Sequence, residues 1–306
     1  MHPAFSVISF TTLLGAAQGL LVSLATLQIF GVPIPELPIL LGIATTLLVL
    51  SLGASFLHLG HPERAWRAAA MWRTSWLSRE VIVLPIFILL AGAWTVLELI
   101  GQKATWILVP VIVVSLLLWL CTAMIYACLK FVQEWAHPLT LMNYLALGLA
   151  SGLVLLISLL TLVAVDSQLT AQLHPWAIGA TLIALILRHM SSIRNRDLKP
   201  KSSLQTATGI RQPHLTQKSM GMSAGAFNTR EFFHGRTVLF LRYVKSIMWS
   251  LCFAMPLVLL LLSLVTKNSI FAVFAFPIQY IGLLAERWLF FAQARHPQNL
   301  YYQTVS

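Results

Sequence analysis

Residues 47–57 read LLVLSLGASFL, residues 58–80 read HLGHPERAWRAAAMWRTSWLSRE, and residues 81–92 read VIVLPIFILLAG. Two apolar runs bracket a charged stretch that holds Arg64, Arg67, Arg73, Arg79, Glu63 and Glu80. A helix needs roughly 20 apolar residues to cross about 30 Å of hydrocarbon, so this pattern predicts two spans joined by a turn at the lipid–water boundary. Ionisable groups at that depth are candidates for function.

The rest of the chain follows the same pattern. With 58% hydrophobic and 9% charged residues and a mean hydropathy of +0.82, there is too little polar material to cover a water-soluble surface. Short alternating strands of the kind a closed barrel needs are not evident, so the expected class is all-α, a polytopic bundle of transmembrane helices. Apolar runs at about 5–30, 38–59, 80–101, 106–131, 139–165, 175–190, 246–266 and 269–292 predict eight spans in a single membrane domain covering 1–306. The N-terminal run lacks a basic leader and a small-residue cleavage site, and reads as a retained first span. Residues 191–245 form one basic extramembrane loop. Cys121, Cys128 and Cys252 lie in apolar runs without metal-ligand spacing and read as core thiols.

Charge assigns the sides. Cytoplasmic loops retain Lys and Arg, and an eight-span count puts 18 of the 20 basic residues on one face, leaving Lys103 and Lys267 opposite. Both termini, the 58–80 turn and the 191–245 loop are therefore expected in the cytoplasm of a bacterial cell, with the chain in its inner membrane. The net charge of +11 reflects this asymmetry rather than nucleic-acid binding; lipid headgroups and an acidic partner are further uses for it. Gly15/Gly19 and Gly148/Gly152 form two GxxxG pairs that would let helices approach closely. Five His-Pro pairs, His174-Pro175 among them, read mainly as helix-boundary marks.

Residues 58–80 supply the candidate chemistry. His58 is expected on the last turn of span two, residues 62–72 in a short interfacial helix carrying Arg64 and two tryptophans, and Glu80 in the first turn of span three behind an N-cap at Ser78. A histidine and a carboxylate near one face suit a quinone headgroup, which needs a hydrogen-bond donor and a proton relay. The same residues suit a plainer arrangement in which His58 ends a helix and Glu80 pairs with an arginine. Haem needs two inward histidines at matching depth, and the histidines here fall at span ends, so neither haem nor metal is expected. A transporter would show a paired polar residue at mid-membrane; Gln18 and Asn143 have no evident partner in the sequence.

HLGHPERAW followed by SWLSRE resembles the membrane-anchor subunits of the dimethyl sulfoxide reductase family. The opening MHPAFSVISFTTLLGAAQGL and the later NTREFFHG are similar to the branch found in sulfite-oxidising complexes. The resemblance covers most of the chain, is specific in these three stretches and is weak across 195–222. It implies eight helices, an iron–sulfur electron-transfer subunit and a molybdopterin catalytic subunit as partners, and exchange of electrons with ubiquinone or menaquinone. It also implies quinone-site roles for His58, Arg64 and Glu80, with Glu80 relaying protons. His61 stands where other members carry a small polar residue. Reductase-type members turn this loop to the periplasm, whereas the charge count here turns it to the cytoplasm, as the sulfite-oxidising branch implies. The alternatives are the same anchor oxidising quinol for a sulfoxide or oxyanion reductase, or a non-redox transport or scaffold protein.

Overall fold

The computed structural model describes residues 2–34, 36–57, 59–163, 167–219 and 233–300. Eight helices among them are long and apolar enough to cross a membrane: α1 (Phe5–Ile29), α2 (Leu37–Phe56), α3 (Trp76–Leu99), α4 (Thr105–Ala127), α5 (Pro138–Val163), α6 (Ser167–Arg196), α7 (Val238–Thr266) and α8 (Ile270–Ala292). No strand occurs among the described residues. The protein is an all-helical, multi-pass membrane protein. Leu50, Leu89, Val96 and Val109 are exposed on its flanks, which is the arrangement hydrocarbon requires. Hydroxyls inside the spans bond back to the carbonyl one turn earlier, as Ser23 Oγ does to Gly19 at 2.7 Å.

The helices differ from the sequence reading in three places. α6 begins well before residue 175 and contains His174 and Pro175, so that His-Pro pair is not a boundary. Neighbouring helices and waters can satisfy the carbonyl such a proline frees. α6 also runs on to Arg196, and at about 1.5 Å per residue its 30 residues reach roughly 45 Å, longer than the hydrocarbon. The loop predicted over 191–245 is therefore shorter, because α6 takes its start and α7 its end. Finally, α3 is capped by Ser75 rather than Ser78: the Ser75 hydroxyl accepts the Ser78 amide at 3.3 Å.

Two close approaches set the packing. α1 lies against α5 through the two GxxxG pairs, where a methyl at Gly19 would sit 2.0 Å from the Gly148 carbonyl oxygen and one at Gly152 2.1 Å from the Gly19 carbonyl carbon. Only glycine admits backbones this close. In α7, residues Met248–Ala254 form a π-helical turn, and that wide turn presses on α8, where a methyl at Gly282 would meet the Cys252 nitrogen at 2.1 Å. Cys121 and Cys252 are buried as expected, but Cys128, at the end of α4, is exposed.

Candidate functional site

The connection after α2 and the ends of α4, α5, α6 and α8 converge on the basic end of the bundle, because short loops make neighbouring helices antiparallel. There Pro62–Met71 forms a short, exposed 3-10 helix with His61 before it. Its arginines lie over tryptophan rings: Arg67 at 5.5 Å from Trp66 and Arg73 at 5.6 Å from Trp72. Trp66 and Trp72 are exposed at the level where aromatic belts form. This is the interfacial helix predicted from the sequence.

The candidate residues are not all brought together. His58 lies outside the described residues. Arg64 is exposed, its Nε 3.7 Å from the Glu63 carboxylate, while His61 Nδ1 is 3.0 Å from the same carboxylate. Among the described residues no hydrogen bond or ion pair joins Arg64 to Glu80. Glu80 itself is only 4% exposed, and its carboxylate accepts a hydrogen bond from the Thr122 hydroxyl of α4. Four residues past the start of α3, helix packing already encloses this carboxylate, so it does not stand open to the water at the membrane face. Among the described residues Glu80 also has no arginine partner: its neighbour Arg79 turns away over the Trp76 ring at 4.1 Å and donates to the Trp72 and Arg73 carbonyls.

Four further spans carry polar groups that sequence reading did not join. In α8, Glu286 bridges two arginines, with Arg188 Nε of α6 at 2.9 Å and Arg287 Nη1 at 3.5 Å, all three side chains at most 5% exposed. The Arg287 guanidinium lies 3.7 Å from the Tyr144 ring centroid of α5, and the Tyr144 ring stacks on Tyr126 of α4 at 6.1 Å. Arg188 is expected at the end of the sixth span, but α6 continues about two turns past it to Arg196, while Arg287 lies in the last two turns of α8. The signal that could have found them is the Glu286-Arg287 dipeptide in the apolar run IQYIGLLAERWLFF. The two polar residues without a partner in the sequence have partners in the fold: Gln18 donates to the Ser115 carbonyl at 3.0 Å, and Asn143 to Ser191 Oγ at 2.7 Å.

Two of the cavities at this end bear on the site. A small one of about 20 Å³, between α1, α4, α5 and α8, is lined by Gln18, Thr122, Tyr144 and Arg287, and by Trp119, whose buried indole N–H has no hydrogen-bond partner among the described residues. A large cleft of about 680 Å³ opens between the ends of α6, α7 and α8 and is lined by Ser192, Arg196, Arg236, Lys245 and Arg295, with Glu134 as its carboxylate. Outside the spans, burial and the neighbouring Arg194 lower the pKa of His137, and burial lowers that of His234 in the cleft. No group of three or more His, Cys, Asp or Glu capable of holding a metal occurs among the described residues.

Residues 1–292 match the family described as DMSO reductase anchor subunit (DmsC). Over the full length of both chains, in an alignment of 328 positions, the protein is 47% identical to a subunit of the sulfite dehydrogenase of Allochromatium vinosum. With eight apolar spans and a match over nearly the whole sequence, the chain belongs to the DMSO reductase anchor subunit family.

Proposed function

We propose that this anchor carries the quinone site of a molybdenum oxidoreductase and passes electrons from a cytoplasmic iron–sulfur subunit to ubiquinone or menaquinone, with a molybdopterin subunit oxidising sulfite. Glu80 carries this reading. It is a buried carboxylate near the end of an apolar span, held by one hydroxyl and paired with no cation among the described residues. An ionisable group inside a span is costly to bury, which makes it a functional candidate. Glu80 supplies the one proton-exchanging group that a quinone headgroup at this end of the bundle needs. When bound, a quinone supplies two carbonyl oxygens that take up two electrons and two protons.

Glu80 then holds and delivers a proton, and the Thr122 hydroxyl orients its carboxylate. His58, as the resemblance implies, donates a hydrogen bond from the neighbouring helix end. Arg64 and the interfacial tryptophans screen the entrance from the water side. The relative named for sulfite dehydrogenase and the cytoplasmic side that the charge asymmetry favours for the basic end support substrate oxidation. The family description supports a second reading, in which the same site oxidises quinol for a reductase.

The test is made on the complex purified in mild detergent with its co-purifying subunits. Glu80→Gln keeps size and hydrogen bonding but removes the titrating proton, and should slow quinone-linked turnover by about 100-fold or more. His58→Ala should abolish it. Sulfite oxidation with a soluble acceptor should be unchanged in both. Normally assembled complexes of both variants that reduce a short-chain quinone at wild-type rates would refute the assignment.

A further inference from the structure

Glu80 is enclosed, so a proton it gives up has to be replaced through the protein. Four observations trace a polar line away from it across the bundle. Thr122 donates to Glu80 and also lines the 20 Å³ cavity. Tyr144 and Arg287 line the same cavity. Arg287 and Arg188 lie within ion-pair distance of Glu286. Finally, Ser192 lies one helical turn beyond Arg188 on the same face of α6, about 6 Å along the axis, and it lines the open 680 Å³ cleft together with Asn195 and Arg196.

The cavity is large enough for one water, which needs roughly 10–15 Å³ and two to four polar partners. The Trp119 indole N–H, buried at 2% exposure and without a partner among the described residues, is a donor for it, and Thr122 and Tyr144 offer hydroxyls. The ion cluster beyond carries two guanidiniums against one carboxylate. A buried cluster with that imbalance costs several kcal/mol per uncompensated ion, more than the ring faces of Tyr144 and Phe290 return. Three large buried polar side chains on α6 and α8 are therefore hard to explain as fold stabilisers, since an apolar triad would serve better.

We propose that this line is the proton-entry path of the quinone site: water in the cleft at the ends of α6, α7 and α8 exchanges protons with the Glu286 carboxylate, which Arg188 and Arg287 flank as fixed charges without giving up protons themselves, and from there through Tyr144, one cavity water and Thr122 to Glu80. The inference rests on the quinone reading of Glu80. Each turnover takes two electrons from the iron–sulfur partner and two protons from the cytoplasmic side; the path carries the proton that Glu80 delivers and returns Glu80 to its starting state. Protons thus enter between α6, α7 and α8, on the far side of the bundle from the turn that carries Arg64.

Tyr144→Phe keeps the ring over Arg287 and removes only the hydroxyl; Thr122→Val keeps shape and removes the donor to Glu80. In the assembled complex both should slow quinone-linked turnover roughly tenfold or more, less than the ~10²-fold of a direct proton-transfer group because a second water can stand in. In Tyr144→Phe the affinity of a quinone-site inhibitor should stay unchanged, which separates proton delivery from damage to the site. A high-resolution density map should show an ordered water within hydrogen-bond distance of Trp119 Nε1. If Glu80→Gln is slow while Tyr144→Phe and Thr122→Val run at the wild-type rate, the path is wrong and the quinone site stands. If Glu80→Gln itself runs at the wild-type rate, the quinone reading falls and the path with it. Should Tyr144→Phe fail to assemble, Trp119→Phe, which removes the donor to the cavity water and leaves Glu80 and its hydroxyl partner in place, decides instead, and a cavity without water density overturns the bridge whatever the rates.

Discussion

Glu286 and Glu63 are both ion-paired to an arginine, yet the two carboxylates matter very differently. Glu63 sits on the surface turn with its partners more than half exposed, where such pairs contribute roughly 0–1 kcal/mol. Glu286 is 1% exposed between two guanidiniums. Glu286→Gln should destabilise the protein by about 3–5 kcal/mol, the cost of leaving a buried charge without its partner. Glu63→Gln should change nothing measurable. Thermal unfolding of the purified subunit in detergent distinguishes them, and a Glu286→Gln midpoint equal to wild type would show the cluster to be hydrated rather than buried. Glu80 was legible in the sequence because it stands beside a charged loop. Glu286 was not, because hydropathy averaged over a span hides one acid–base pair, and its second partner lies on a helix distant in sequence.

The contact between α1 and α5 depends on the absence of a side chain. Gly152→Ala places a methyl against the backbone of Gly19, which cannot move aside as a flexible side chain would, so the two helices must separate. Gly42 in α2 has nothing within 4 Å of its would-be methyl. Gly42→Ala should therefore assemble normally, while Gly152→Ala should lower the yield of monodisperse protein in size-exclusion chromatography. Equal yields would mean that the contact is looser than these distances. The GxxxG spacing was visible in the sequence, but which helices it joins was not, since nothing in one sequence pairs two helices that are not neighbours in the chain. Span count and most boundaries were legible because a length of about 20 apolar residues is a strong physical requirement. α6 was misjudged because its first turns, SQLTAQLHP, are polar, and polarity there marks an interface rather than the end of a helix.

For the molecule as a whole, sidedness follows from charge. With 18 of 20 basic residues at one end, that end should stay in the cytoplasm. Cys128 is exposed at that end and would itself react, so the test begins from a Cys128→Ser background. Single cysteines at Ala70 and Ser202 should react with a membrane-impermeant thiol reagent only in inverted vesicles, and one at Lys103 only in intact cells. The reverse pattern would turn the molecule over and remove the case for a cytoplasmic iron–sulfur partner. The basic cleft at this end also predicts how that partner is held: if it docks by charge, Arg236→Gln and Lys245→Gln together should increase its dissociation, most visibly at low salt.

The wide turn at Met248–Ala254 bears on the ancestry of the chain. Such a turn takes more residues per revolution than an α-helix, and it is how a helix absorbs a single inserted residue without throwing its flanks out of register. Its bulging backbone leaves no room opposite for anything larger than glycine at position 282. Relatives one residue shorter across 248–254 would wind regularly there, and their counterpart of Gly282 would be free to become alanine. Length at one position and side-chain size at the other should therefore be inherited together.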